Sequence, residues 1–200
     1  RLIGYLRPYW GRALVALVVI ICLAGAIRWA GLNKGLPYAY YPDEPGYIYI
    51  AQKMFKTGDW NPRFYNYPAV FFYANALAYY PYYAVARLAG AIESPDGIVA
   101  PEMILVGVGK TALPSTFLLG RGLMWLFGVA TIVLIFGVGR DLGGDWRTGL
   151  AAAGLLALSP THAEYSRYMF PHVLFTFALL LAFWACWRVC QRGTPQDYVL

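Results

Sequence analysis

Apolar residues in this chain fall in long uninterrupted blocks rather than in alternating or amphipathic patterns. Four blocks stand out, at residues 13–32, 116–138, 149–163 and 171–189. About 20 apolar residues are enough to cross the hydrocarbon of a bilayer as a helix. The first block reaches that length if Arg28 snorkels to the interface. The third is short and rich in Ala and Gly, as close helix packing in membranes allows. The pattern predicts an all-α polytopic membrane protein with about four transmembrane helices.

Sidedness follows from the basic residues. Arg1, Arg7 and Arg12 precede the first block, which places the N-terminus in the cytoplasm. The rival reading of the first block is a cleaved signal peptide, since Ala24, Gly25 and Ala26 are small. Arg140 and Arg147 mark the turn after the second block, and Arg188 and Arg192 end the last. All four are expected in the cytoplasm. The first span then runs outward and the 116–138 span inward. Residues 68–92 therefore make no net crossing. Tyr73, Tyr79, Tyr80, Tyr82 and Tyr83 give that stretch the character of an interfacial helix. A crossing by 68–92 would reverse every later segment. The preferred reading leaves a long external loop, 33–115, with its own amphipathic helices: a candidate active-site cap.

Composition agrees with the pattern. Of 200 residues 60% are apolar, 18% aromatic and 13% charged. That is half the charge of a typical soluble domain, so an ordinary cytosolic enzyme and a disordered chain are both excluded. The net charge of +6 does not point to nucleic acid, because the basic residues cluster at block ends. Cys22, Cys186 and Cys190 form no CxxC pair and read as small apolar packing residues, with no disulfide and no zinc site. The sequence starts at Arg1 and stops at Leu200, and reads as the N-terminal part of a longer membrane protein.

Two polar clusters need explaining. The first is Asp43 and Glu44, between Pro42 and Pro45, just past the outer end of the first block. Beyond it Tyr47, Ile50, Ala51, Met54 and Phe55 share one face of a short helix, with Gln52, Lys53 and Lys56 opposite and Gly58 as its stop. Pro45 suits the first helical position and makes Glu44 the N-cap. Asp43 is left without that duty. The second cluster is Glu164, Arg167, Tyr168 and His172, between the last two blocks and on the same side as Asp43. Arg167 can fork onto a phosphate or snorkel. His172 can carry a proton, bind a metal or sit hydrogen-bonded at the interface. Arg121, one turn into the second span, is a costly charge that needs a partner or a ligand. Gly107, Gly109, Lys110 and Thr111 lack phosphate-loop spacing.

The order of these pieces resembles a family. After the first span come Tyr41, Pro42, Asp43 and Glu44, then Thr57, Gly58, Asp59 and Trp60. Pro68 opens an aromatic helix, and Leu118, Leu119, Gly120 and Arg121 open a span that closes on Arg140, Asp141 and Leu142. Leu158, Ser159 and Pro160 are followed by Ser166, Arg167 and Tyr168. This resembles the N-terminal part of the GT-C type membrane glycosyltransferases, closest to the protein O-mannosyltransferase and lipid A aminoarabinose transferase group. A more distant likeness is to the catalytic subunit of oligosaccharyltransferase. The resemblance implies a mannosyltransferase-like enzyme with a polyprenyl-phosphate-linked sugar as donor. The acceptor would be a protein, glycan or lipid hydroxyl, and transfer would occur on the outer face of the plasma membrane with inversion. It implies catalytic roles for Asp43 and Glu44, with Asp43 the general base or an orienting group for the acceptor. Arg121, Arg167, Tyr168 and His172 are the substrate-binding candidates. Many relatives carry an acidic residue where this chain has His172, so a divalent metal ion is a candidate cofactor with its ligands unassigned. The competing function is a lipid or polar-lipid transporter or flippase without catalysis. Against it, no Asp, Glu, Lys or Arg lies deep in a span.

Overall fold

The computed structural model describes residues 2–39, 41–105 and 108–193. Arg1, Gly107 and Leu200 of the sequence reading lie outside them. In chain order the described elements are α1 (Leu2–Trp29), β1 (Tyr38–Ala39), α2 (Glu44–Thr57), α3 (Val70–Leu88), β2 (Glu102–Leu105) and β3 (Val108–Lys110). They continue with α4 (Pro114–Gly143), α5 (Trp146–Ala157), α6 (Pro160–Tyr165) and α7 (Pro171–Arg192). The chain divides into two compact units. One is 1–29, 126–165 and 172–200; the other is 30–125 and 166–171.

The first unit is a helical bundle. Three helices are long and apolar enough to cross a membrane: Gly11–Trp29, Pro114–Gly143 and Pro171–Gln191. Most of their surface is not covered by protein. Leu14, Val15, Val18 and Leu23 on α1 and Leu179 and Phe183 on α7 are exposed, as lipid-facing residues must be. The chain is a polytopic, integral membrane protein.

Residues 149–163, expected as a fourth span, are divided. α5 has 12 residues, about 18 Å at 1.5 Å per residue, short of the ~30 Å hydrocarbon. Pro160 ends it, because proline cannot donate the next ladder hydrogen bond. Ser159 then starts α6: its Oγ accepts from His162 N–H (3.4 Å) and its carbonyl from Ala163 N–H (3.0 Å). The small residues do permit close packing. A Cβ on Gly149 would stand 2.6 Å from the Phe136 carbonyl, and Gly139 faces the Gly149 Cα. Leu17, Ala24, Ile132, Ala153 and Ala157 form the bundle core.

Arg28 corrects a second expectation. It does not snorkel but is fully buried. Its Nη1 donates to Ala24 O (3.1 Å) and Ala157 O (3.2 Å), and its Nη2 to Leu156 O (3.1 Å). Nη2 also lies 2.9 Å from His162 Nδ1. The guanidinium thus occupies the negative, carbonyl end of α5. The three cysteines are free and exposed, on helix surfaces rather than in packed cores.

The second unit carries a feature the sequence reading did not contain. Three short strands form an antiparallel sheet in the order β1-β3-β2, pairing Tyr38 with Lys110 and Glu102 with Lys110 across β3. Strands of two to four residues leave no periodic signal. α2 and α3 pack against each other. α2 buries Tyr47, Ile48, Ala51, Gln52, Met54 and Phe55, so Gln52 belongs to the packed face and not the polar one. α3 buries Phe71, Phe72, Asn75, Ala76 and Tyr79. α3 is not among the helices apolar enough to cross a membrane.

Candidate active site

The site is built on the start of α2. Gly58, in the left-handed region at φ 68°, ends that helix by donating its N–H to Met54 O (3.0 Å). Pro45 sits in the first turn, where its missing N–H costs nothing. The helix begins one residue earlier than the capping argument placed it. Asp43, not Glu44, holds the N-cap position, yet its side chain makes no capping hydrogen bond. Asp43 is exposed.

Glu44 has a different duty. It is fully buried, and its two oxygens receive the forked guanidinium of Arg121: Nε to Oε1 and Nη2 to Oε2, both 2.7 Å. Oε1 also accepts the Met169 N–H (3.0 Å). Arg121 Nη1 donates to the carbonyls of Leu32 (2.7 Å) and Lys34 (3.1 Å). Its Cζ lies 5.0 Å from the Tyr168 ring and 5.7 Å from Phe117. This pair ties the chain after α1, the start of α2, the second turn of α4 and the lead-in to α7 into one unit. It also corrects the expectation for Arg121. A guanidinium 1% exposed, with four of its five N–H groups engaged, does not stand open to a ligand phosphate.

The other candidates divide between the units. Arg167 and Tyr168 share the unit of Asp43. The half-buried Arg167 lays its side chain on Gly31, where an added Cβ would stand 2.7 Å from its Cδ. Tyr168 is buried and packs on Tyr41 (ring centroids 4.2 Å). His172 belongs to the helical bundle, exposed on the first turn of α7 with its ring 5.0 Å from Tyr165. Among the described residues no three His, Cys, Asp or Glu groups gather as metal ligands. Glu44 is committed to Arg121, so the Asp-Glu pair does not fit a metal.

Tyr47, which the sequence placed on the apolar face of the short helix, stands next to Asp43, and Tyr67, not singled out in the sequence, stands against Tyr47. Tyr47, one turn along α2, has its phenol crowded by the Asp43 carboxylate and the Tyr67 hydroxyl. Burial first, then those two neighbours, push that phenol well above its ordinary range, so it stays protonated. The Tyr47 ring is held edge-on by Tyr67, Phe64, Phe71 and Phe72 at 5.5–6.0 Å. The signal was present as an unusual density of aromatics around Asp43, but spacing alone did not pair them.

Residues 116–200 match the family model described as dolichyl-phosphate-mannose-protein mannosyltransferase. Over that stretch the chain is similar to this family. The match covers Arg121, Arg167, Tyr168 and His172 and leaves Asp43 and Glu44 outside it. Nothing among curated proteins or solved structures matches. The family fits a membrane glycosyltransferase, and the buried Glu44–Arg121 pair joins the matched stretch to the Asp-Glu motif that precedes it.

Proposed function

We propose that the protein transfers a sugar from a polyprenyl-phosphate donor to an acceptor hydroxyl at the outer face of the membrane, with Asp43 as general base. One observation carries this reading: Asp43 is an exposed carboxylate at a helix start, spends no hydrogen bond on capping, and sits beside a neutral tyrosine. The neighbouring carboxylate, Glu44, is the structural one.

In this mechanism the acceptor O–H gives its proton to an Asp43 oxygen. The acceptor oxygen forms a bond to the sugar C1 as the bond from C1 to the phosphate oxygen breaks. The electron pair leaves on the polyprenyl phosphate, and attack from the opposite face inverts the anomeric centre. Arg167 is the group assigned to the leaving phosphate, since a forked guanidinium matches phosphate geometry. Arg121 acts at one remove, by fixing Glu44 and so the start of α2. His172 enters no step.

Support for the outer face comes from the chain order. The Glu44–Arg121 and Glu44–Met169 bonds gather the segments that follow α1, open α4 and lead into α7. Arg140 and Arg188 lie toward the other ends of α4 and α7. By the positive-inside rule those ends are cytoplasmic.

The test uses the full-length protein in detergent or nanodiscs and a panel of polyprenyl-phosphate sugars. Release of polyprenyl phosphate is expected from one of them. Asp43→Asn keeps the size of the side chain and removes its basicity, and should lower turnover by about 10²–10⁴-fold. Its unfolding temperature should not change. Release from no donor, with membrane extract supplied as acceptor, or full turnover by Asp43→Asn, overturns the reading.

A further inference from the structure

The loop between α2 and α3 is more ordered than its exposure requires. Asp59 Oδ1 accepts from Asn61 N–H (3.0 Å), and Asn61 Oδ1 accepts from Arg63 N–H (2.9 Å) and from the Tyr65 hydroxyl (3.4 Å). Thr57 Oγ1 accepts from Asp59 N–H (3.2 Å), and Arg63 pairs with Asp59 Oδ2 (3.2 Å). Arg63 itself sits at φ 51°, a left-handed conformation that a non-glycine residue adopts only when its surroundings impose it. A chain of side-chain-to-backbone bonds thus holds a strained, solvent-exposed loop in one shape.

That loop lines an open cavity of about 580 Å³, within the range of small-ligand sites. Its walls carry Trp60, Tyr65, Tyr67 and Tyr73 together with Asn61 and Asn66. Trp60 and Tyr73 meet at an interplanar angle of 63° with ring centroids 6.0 Å apart. The rings remain available: Tyr65 is 81% exposed and Trp60 37%. The Asn66 amide makes no hydrogen bond among the described residues. One wall, Tyr67, is also the residue that touches Tyr47 beside Asp43.

Flat aromatic faces and planar amides are the two groups that a pyranose ring asks for. Its C–H face stacks on an aromatic ring, and its hydroxyl pairs bridge an amide N–H and C=O. A headgroup belt of tyrosines and tryptophans would not need the rings to converge on one cavity, nor the amides among them. We infer that this cavity is a pyranose subsite, and that it seats the sugar of a carbohydrate acceptor against Asp43. The assignment to the acceptor rests on the glycosyl-transfer reading above. The pyranose subsite itself does not.

The experiment is ligand-observed NMR on the full-length protein in detergent, with a panel of methyl pyranosides as probes. At least one is expected to bind. Trp60→Ala should weaken it about tenfold, and Trp60→Phe should restore most of the affinity. The binding titration involves no turnover, so a failure of the base assignment leaves this test intact. Trp60 is on an exposed loop, and Tyr65→Ala replaces it if Trp60→Ala does not fold. The source of the ring is then read from transfer kinetics. A raised KM for the acceptor with that for the donor unchanged supports the proposal. A raised donor KM alone would assign the subsite to the donor sugar and overturn the acceptor assignment. Absence of binding by every pyranoside, or binding unaffected by both Trp60→Ala and Tyr65→Ala, overturns the subsite.

Discussion

Each of the two units is organised around a buried arginine, and the two are satisfied by different chemistry. Arg121 meets a carboxylate, Glu44, in a forked pair with both charges out of water. Arg28 meets dipoles: the last carbonyls of α5, one carbonyl of α1, and an imidazole nitrogen. Burying a charge is tolerated only when its hydrogen-bonding capacity is filled. A carboxylate does this at one point and fixes geometry. A ring of carbonyls does it diffusely and ends a helix. The unit with the candidate chemistry uses the directed solution, which sets the start of α2 and therefore Asp43. The bundle uses the diffuse one, where its helix is broken by Pro160.

That difference is sharpest when one partner is removed. Glu44→Ala leaves Arg121 charged and buried without its counter-ion, and should cost about 3–5 kcal/mol of stability. Arg28→Ala leaves carbonyls short of a donor, which costs about 1–3 kcal/mol for an unsatisfied buried group. Chemical unfolding in detergent measures both. The double variant Glu44→Met with Arg121→Met should recover much of the loss in stability. It should not recover turnover, because nothing then fixes Asp43. If Glu44→Ala proves as mild as Arg28→Ala, the pair is not the organising contact of its unit.

Much of this was legible in the sequence, for reasons that differ between the units. Three of the bundle's helices declare themselves by long apolar runs, since a lipid-facing helix has no polar side to interrupt the pattern. The 149–163 block ran past Pro160, where α5 has ended and the separate α6 begins. In the other unit α2 was legible from Pro45 and Gly58, and Asp43 and Glu44 stood out as candidates because two carboxylates lie beside a membrane span. Their division of labour was not legible. The burial of Glu44 beside an exposed Asp43 involves Arg121, 77 residues away. The rule that a charge in an apolar run has a partner or a ligand was right in form, and the partner was already among the candidates. The small sheet and the Trp60 cavity rest on non-local contacts that leave no period in the sequence.

Glycine substitutions extend the comparison at smaller amplitude. A Cβ on Gly149 in the bundle would stand 2.6 Å from a backbone carbonyl, that of Phe136, which cannot yield without moving α4. Gly149→Ala should therefore cost about 1–3 kcal/mol as an overpacked contact. On Gly120, in the unit with the candidate site, the Cβ would stand 2.5 Å from the Sδ of Met169. A methionine thioether can rotate away, so Gly120→Ala should be the milder of the two in thermal unfolding. Met169 also donates its N–H to Glu44, so a shift there should register more in turnover than in stability. Equal stability losses would mean that Met169 is as fixed as backbone.

The smallest effect concerns the loop that walls the cavity, and its pH dependence has a definite sign. The Asn61 N–H and then Arg63 hold the Asp59 carboxyl below its ordinary value. A carboxylate depressed in the folded state contributes order above its unfolded value and loses it as pH falls through the lower, folded one. Pyranoside binding should therefore be flat from neutrality down through the usual carboxylate range, and weaken only at more acidic pH. Asp59 is fully exposed and solvent screens its pairing, so Asp59→Asn should leave global unfolding unchanged. Its effect should be confined to a modest loss of pyranoside affinity, measured by the same NMR titration, because Arg63 loses the ion pair that helps hold its left-handed conformation. A stability loss without an affinity loss would place the order of this loop in the fold rather than in ligand binding.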